Sequence, residues 1–115
     1  MKILVLNYEY PPIGGGAGPV CRDLSELFAR RGHEVDVVTM AFGDLPRRET
    51  QNGVSITRVP ALRKKQGACK THEMLSYVAS ALPGVIRRLR KDGYDIVHCH
   101  FIVPTGLLAM LSARF

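Results

Sequence analysis

The sequence predicts an α/β fold built on a mainly parallel sheet with flanking helices. Three observations lead to this prediction: short apolar strands alternate with amphipathic helices, the first strand is apolar on both faces, and a glycine-rich loop joins it to the first helix. With 115 residues, 46% of them hydrophobic, the chain has room for one core and not for two. The predicted order of elements is β-loop-α-β-β-α-β-α.

The first strand and the first helix have the clearest patterns. Residues 2–8 are dominated by Ile, Leu and Val and are followed by two prolines, which end the strand. Pro19 suits the first turn of a helix, where its missing N–H would have had no partner. Gly32 is the expected stop of this helix, in a left-handed conformation. The helix is expected to bury an apolar stripe at i, i+4, i+7 and i+8, made of Val20, Leu24, Leu27 and Phe28.

Two further strands are predicted in the middle of the chain. Residues 34–40 contain three valines and form the second strand, and residues 43–53 are polar and are interpreted as a surface loop. Residues 54–59 set Val, Ile and Val against Ser, Thr and Arg, which is typical of a half-covered strand near a sheet edge.

The last third of the chain predicts a helix, a strand and a further helix. Thr71 can cap the helix that Gly93 ends, and Pro83 predicts a kink or a break within it. Residues 95–100 form the fourth strand, and residues 105–115 begin the third helix. The apolar stripe of the long helix consists of Leu75, Val78, Leu82, Ile86 and Leu89.

The loop that opens the first helix favours a ligand. Residues 14–18 contain four glycines, and glycine lets the backbone approach a phosphate while the helix N-terminus offers unpaired N–H groups. The spacing is not a dinucleotide fingerprint, because Pro19 stands where the third glycine would be needed. It is not a Walker loop either, since Gly-Lys-Ser/Thr is absent. The alternative is a flexible turn whose glycines only relieve crowding.

Two sets of short patterns resemble a known family. The chain opens with MKILV at 1–5, YPP at 10–12, GG at 15–16 and RGHEV at 31–35, and YDIVHCH follows at 94–100. In this order and spacing they are similar to the N-terminal half of family 4 retaining glycosyltransferases. The resemblance covers essentially the whole chain.

The resemblance implies a fold, a reaction and site residues. The fold would be GT-B, with two Rossmann-like domains facing each other across a cleft. The nucleotide-sugar donor would bind mostly to the C-terminal domain and the acceptor mostly to the N-terminal one. Gly15 and Gly16 would contribute backbone N–H groups near the donor diphosphate or the acceptor, and His100 would reach the transferred sugar. Gly14 adjoins the glycine pair and is predicted to belong to the same binding loop. Helix dipoles and basic residues would stabilise the leaving diphosphate, so no metal and no cofactor are expected.

The sequence also departs from the family pattern. Gly14 is an extra glycine, and residues 18–19 are Gly-Pro where polar residues are commoner, which affects the acceptor side. The family's C-terminal domain, with its paired glutamates and basic phosphate-binding residues, is expected to lie outside residues 1–115. Residues 1–115 are therefore expected to be a truncated N-terminal domain of a GT-B glycosyltransferase, inactive alone. No residue pattern in the sequence identifies the donor nucleotide, the sugar, the acceptor or the linkage.

A metal site is not expected at the two histidines of the fourth strand. His98 and His100 share a face of the strand while Cys99 points the opposite way, and no further cluster completes a tetrahedral set. His100 at the strand end is favoured for function and His98 for structure. Cys21, Cys69 and Cys99 lack a CxxC pair and are expected to be reduced and mostly buried.

The positive net charge indicates anionic partners but does not identify them. The net charge is +6, and two basic clusters contribute to it. They could attract an anionic membrane surface, as in relatives that glycosylate lipid-linked acceptors, or form an ordinary solvated surface. No aromatic platform accompanies them, so nucleic-acid binding is not expected. The clusters are Arg58, Arg63, Lys64, Lys65 and Lys70, and Arg87, Arg88, Arg90 and Lys91.

Three functions stay open at the level of sequence. A sugar-nucleotide-dependent glycosyltransferase is the first, with a lipid-linked or small-molecule glycan as acceptor. A non-catalytic Rossmann-like module that binds an anion or nucleotide is the second, and a basic membrane-interaction module the third. No signal peptide is recognised and no apolar run reaches the length of a membrane span, so a cytoplasmic location, extending to the inner face of the membrane, is expected. Truncation would leave Leu107, Leu108 and Leu111 uncovered and favour oligomers.

Overall fold

The computed structural model describes residues 1–7, 10–11, 17–41, 43, 45–60, 71–91, 93–99 and 110. Within these ranges five strands and two helices follow one another along the chain. They are β1 (Lys2–Leu6), α1 (Ala17–Arg30), β2 (Glu34–Met40), β3 (Arg48–Gln51), β4 (Val54–Val59), α2 (Thr71–Lys91) and β5 (Ile96–Cys99).

The strands form one sheet in the order β3-β4-β2-β1-β5. Neighbouring strands run parallel, except for β3, which pairs with β4 antiparallel. Leu6 lies opposite Val38 on one side and Cys99 on the other, so β1 is an interior strand of the described sheet, next to the edge strand β5. The α/β class and the mainly parallel sheet predicted from the sequence are confirmed.

Helices α1 and α2 cover opposite faces of the sheet. On the α1 face Ile3, Val5, Val35 and Val37 pack against Cys21 of the helix. On the α2 face the buried core cluster consists of Leu4, Leu6, Val38, Met40, Tyr77, Val78, Ala81 and Val85. Successive strand residues point to opposite faces, so a strand that is apolar at almost every position, such as β1, must be covered on both faces.

The buried face of α1 is not the face that the apolar stripe predicted. Gly18, Cys21 and Ser25 are buried, whereas the side chain of Val20 is 61% exposed. Of the predicted stripe only Phe28 packs against the core of this face. The small residues at the contact let the helix lie close to the sheet. A surface groove of about 410 Å³ is lined by Val20, Asp23, Leu24, Leu27 and Arg30.

The segment 43–53, interpreted as a loop, contains strand β3. Asn52 and Gly53 connect β3 to β4 with positive φ angles of 50° and 84°. Two consecutive residues with positive φ are what a tight type I′ hairpin turn requires, and Asn-Gly is its preferred pair. The hairpin therefore depends on a local turn signal more than on the polar β3 sequence RETQ.

Arg58, counted above among surface cations, is buried. It lies on the same face of β4 as Val54 and Ile56, and only 2% of the residue is exposed. Its Nη1 donates hydrogen bonds to the carbonyl of Pro46 (3.0 Å) and to the Glu49 carboxylate. A buried charge persists only when it is paired and hydrogen-bonded, so Arg58 binds the β3 hairpin to β4.

Helix α2 continues through Pro83 without the break that was one of the two expected outcomes. Pro83 is exposed, and the buried face of the helix carries Tyr77, Ala81 and Val85 at four-residue intervals. Leu75, expected in the buried stripe, is 52% exposed. The expected left-handed stops hold, with φ of 89° at Gly32 and 65° at Gly93. Met110 is helical, and the rest of the expected third helix lies outside the described residues.

Candidate active site at the carboxyl edge of the sheet

The parallel strands end together at one edge, which is where ligands bind in open α/β sheets. Leu6, the last residue of β1, is in register with Cys99, the last residue of β5. Leu6 is also in register with Val38 of β2, which in turn faces Thr57 of β4. The chain therefore leaves β1 and β5 at directly neighbouring positions.

The four residues predicted to form the site are Gly14, Gly15, Gly16 and His100, and all four lie outside the described residues. Their flanks are described. Helix α1 begins at Ala17, directly after the glycines, and β5 ends at Cys99, directly before the histidine. Glu9, Cys69 and the leucines at 107, 108 and 111 are likewise outside the described residues.

Helix α1 begins at the carboxyl edge and ends at the amino edge. At its far end the terminal ammonium of Met1 lies 2.9 Å from Nδ1 of His33, and the Glu34 amide donates to the Met1 carbonyl at 2.9 Å. Near its start the Cys21 thiol lies close enough to the side chain of Asn7, which follows β1, for Asn7 to affect its pKa. No acidic residue occupies the first turn of α1, so its partial positive charge is not neutralised from within the helix.

Polar side chains are buried at the level of this edge on the α1 face. Asn7 and Thr39 have no exposed surface, and Thr39 is the register partner of Arg58. We call the polar layer the set Asn7, Tyr10, Cys21, Ser25, Thr39 and Arg58. The sequence analysis missed this layer. Its signal is a polar residue at or just after the carboxyl end of an apolar strand, as at Asn7 and Thr39.

The Cys21 thiol and the Tyr10 hydroxyl of the polar layer are held neutral. Burial raises the pKa of the Cys21 thiol, and hydrogen bonds from Asn7 and Ser25 act in the opposite direction without reversing it. Burial also raises the pKa of the Tyr10 hydroxyl, and the nearby Cys21 and Glu26 add to that effect. Cys21 and Tyr10 therefore act as neutral hydrogen-bonding groups beside the charged Arg58. The layer does not offer a thiolate nucleophile, which would need a lowered pKa.

His98 is a packed residue of the α1 face. It is in register with Val5, and its ring lies 6.4 Å from the ring of Phe28, which in turn lies 6.5 Å from the ring of His33. Cys99 packs against the α2 face. Among the residues that the structure describes, no group of three or more His, Cys, Asp or Glu side chains is placed to hold a metal ion.

Neither of the two helices in the described part of the chain is long and apolar enough to span a membrane. The mainly parallel sheet and the helix that begins at its carboxyl edge define a Rossmann-like α/β domain.

Comparisons with known proteins identify the family. The family model described as "glycosyl transferase 4-like domain" matches residues 15–115. The chain is 40% identical over 101 residues to the uncharacterized glycosyltransferase MJ1607 of Methanocaldococcus jannaschii, covering 87% of this chain and 25% of that protein. It therefore belongs to the glycosyl transferase 4-like family, as the sequence resemblance indicated.

Two further proteins are similar to the chain. Alpha-monoglucosyldiacylglycerol synthase of Acholeplasma laidlawii is 26% identical over 115 residues, which cover 99% of this chain and 27% of that enzyme. The structure of sucrose-phosphate synthase (tll1590) from Thermosynechococcus elongatus superposes with a TM-score of 0.74 at 18% identity, covering 99% of this chain and 30% of the enzyme. This likeness confirms the GT-B Rossmann-like fold. The chain spans about a quarter to a third of the length of these relatives.

Proposed function

We propose that residues 1–115 form part of the N-terminal domain of a GT-B enzyme that transfers a sugar from a nucleotide-sugar donor to an acceptor with retention of configuration. Family membership and the fold support the proposal. The observation that carries it is the in-register ending of β1 and β5, with α1 beginning at the same edge. A second Rossmann-like domain, outside this chain, would hold most of the donor. Residues 1–115 alone would then be inactive.

In this proposal Gly14, Gly15 and Gly16 present backbone amides to the donor diphosphate or the acceptor, and His100 contacts the transferred sugar. The end of β5 supports the role of His100, because Cys99 lies beside Leu6 and the next residue follows from the edge where ligands bind. The unneutralised N-terminus of α1 supports the role of the glycines. Charge that develops on the leaving diphosphate would be stabilised by such fixed dipoles.

The decisive experiment compares two histidines of the same strand. In a full-length protein that contains this chain, transfer and donor hydrolysis are measured with a panel of sugar nucleotides. His100→Ala should lower kcat/KM by about 100-fold or more with little change in Tm, as expected for a group that acts in the transition state. The His98 ring packs on Phe28, so His98→Ala should lower Tm. It should leave kcat/KM within a few-fold of the parent value.

Equal kinetic effects of the two substitutions would refute the role of His100. No transfer or hydrolysis with any sugar nucleotide would refute the proposed reaction. Nucleotide binding without either reaction would instead support the alternative, a non-catalytic Rossmann-like module.

The acceptor is proposed to be a lipid-linked or small-molecule glycan. The name of alpha-monoglucosyldiacylglycerol synthase indicates a glycolipid product, and that of sucrose-phosphate synthase indicates a sugar phosphate. A lipid acceptor would place the enzyme in the cytoplasm at the inner face of the membrane, in peripheral contact through basic residues.

Topology distinguishes the two basic clusters for such a contact. Helix α2 ends at the amino edge, since Asp95 shortly after it hydrogen-bonds with Lys2 at 2.7 and 2.8 Å. Exposed Arg87, Arg90 and Lys91 therefore lie away from the carboxyl edge. Arg63, Lys64, Lys65 and Lys70 lie outside the described residues, but they follow the carboxyl end of β4 along the chain.

We therefore propose that the cluster at 63–70 makes the membrane contact. In sedimentation with anionic liposomes at low salt, Arg63→Gln/Lys64→Gln/Lys65→Gln should reduce binding about tenfold or more, since each basic residue near the surface contributes about 1 kcal/mol. Arg87→Gln/Arg90→Gln/Lys91→Gln is the charge-matched control and should bind as the parent does. An equal loss of liposome binding in both triple variants would show that binding depends on net charge alone, and it would refute the role of the cluster at 63–70.

Self-association of the 115-residue chain is proposed through β5. This strand is at the edge of the described sheet, and Ile96 and Val97 are 41% and 37% exposed on opposite faces. An apolar edge strand is a template for pairing with another chain. Sedimentation should show a concentration-dependent dimer that Val97→Lys abolishes. A monodisperse monomer at high concentration would refute this proposal.

A further inference from the structure

Buried polar atoms of the polar layer point to a site on the α1 face that is separate from the proposed sugar site. In the part of the chain that the structure describes, the buried polar atoms without a hydrogen-bond partner include Tyr10 Oη, Thr39 Oγ1, and Nε and Nη2 of Arg58. Tyr10 and Thr39 have no exposed surface, and Arg58 is 2% exposed. Buried polar groups in folded proteins are almost always hydrogen-bonded, to protein or to ordered water.

The three side chains belong to one neighbourhood. Thr39 of β2 and Arg58 of β4 are register partners and point to the same face of the sheet. Tyr10 packs into the core of that face together with Val37 and Ile56. The positive charge of Arg58 acts on the Tyr10 hydroxyl, where it lowers the pKa against the larger effect of burial. A single small molecule could therefore contact all three.

Charge decides between an anion and a neutral partner. Nη1 of Arg58 already donates to the Glu49 carboxylate and to the Pro46 carbonyl, and the contact with Arg58 lowers the pKa of Glu49. The positive charge is thus balanced within the protein, and a second anion would be in excess. Three N–H groups remain, one on Nε and two on Nη2, and the Nε–H and one Nη2–H point from the same edge of the planar guanidinium.

We propose that one ordered water molecule is bound between Tyr10 Oη, Thr39 Oγ1 and the Nε and Nη2 of Arg58. A water accepts two hydrogen bonds and donates two, so it can accept from the guanidinium and donate to the two hydroxyls. This water joins the chain that follows β1 to strands β2 and β4. It is a structural ligand of the carboxyl edge and is independent of the sugar-transfer reaction.

A double-mutant cycle on the chain tests the bridge. Tyr10→Phe and Thr39→Val each remove one hydroxyl with little change of shape. Either substitution disrupts the same bridge, so the second substitution should lower the free energy of unfolding less in the presence of the first than it does alone. The coupling between the two substitutions should be at least about fivefold in the unfolding equilibrium constant. The matched control is Tyr10→Phe with Tyr77→Phe. Tyr77 donates directly to the Val38 carbonyl on the other face, and this pair should be additive within about twofold.

A high-resolution crystal structure of the chain completes the test. It should show one water within about 2.6–3.2 Å of Tyr10 Oη, Thr39 Oγ1 and Arg58. A direct hydrogen bond between these side chains with no density between them would overturn the proposal, as would additive Tyr10→Phe and Thr39→Val effects. Phosphate or chloride that stabilises the parent but not the double variant would identify an anion and also overturn it. None of these readouts depends on transferase activity.

Discussion

Glu49→Ala should destabilise the chain because it leaves the buried charge of Arg58 uncompensated. The Arg58 side chain has no exposed surface, and the Glu49 side chain is 23% exposed. Removing one partner of a fully buried ion pair costs about 3–5 kcal/mol. Since water can partly replace the half-buried carboxylate, and the Pro46 carbonyl keeps its hydrogen bond at 3.0 Å, we expect about 2–3 kcal/mol.

The pH dependence of this contribution has a definite sign. The hydrogen bond from Arg58 lowers the pKa of Glu49 below the ordinary value of 4.5 for a glutamate, and this effect is larger than the opposite effect of burial. A lowered carboxyl pKa stabilises the folded state above the unfolded-state pKa, and the contribution is lost as pH falls through the folded-state pKa. The parent should therefore lose stability below about pH 4.5, and Glu49→Ala should lose less over the same interval.

Urea unfolding followed by circular dichroism at pH 7 and pH 3.5 measures both effects. Thr50→Ala, an exposed position on the same strand, is the control and should change the free energy of unfolding by about 0.5 kcal/mol or less. Glu49→Ala/Arg58→Met should recover most of the loss, because it removes the unpaired charge. A loss under about 1 kcal/mol from Glu49→Ala, or no recovery in the double variant, would refute the reasoning.

Three further predictions concern single positions. Gly53→Ala should lower the free energy of unfolding by about 1–2 kcal/mol, because φ is +84° and the new Cβ would lie 3.3 Å from that of Ala29. Urea unfolding measures this loss, with Ser55→Ala as the control. Equal effects of the two substitutions would contradict the prediction. Tyr77→Phe should cost about 1–2 kcal/mol, since the buried hydroxyl donates to the Val38 carbonyl at 2.9 Å, and an unchanged unfolding midpoint would contradict this. In a Cys69→Ser background Cys99 should react with a thiol reagent before Cys21. Burial raises the pKa of both thiols, but Cys21 is fully buried whereas Cys99 is only partly buried. Faster labelling of Cys21 in the folded state would contradict this order and show that α1 opens.

Sequence patterns determined the elements whose burial is nearly complete or whose ends carry a strong local signal. β1 is apolar at almost every position, so it had to be an interior strand covered on both faces. Gly32 and Gly93 ended their helices because positive φ is cheap only for glycine. The Asn52-Gly53 pair carried the same kind of signal for the β3 hairpin, but the polar residues around it favoured a loop.

Only the tertiary structure decided which face of each amphipathic element is buried and which polar residues join the core. The apolar periodicity of α1 indicated Val20, whereas close packing on the sheet selected Gly18, Cys21 and Ser25, because small residues allow a shorter distance between helix and sheet. Arg58 reads as a surface cation in isolation and is buried because Glu49, brought beside it by the hairpin, pairs with its charge. The order of the motifs along the sequence was enough to indicate the family, because that order can be recognised without the tertiary structure. The polar layer required the register of β2 and β4, which depends on contacts between residues distant along the chain.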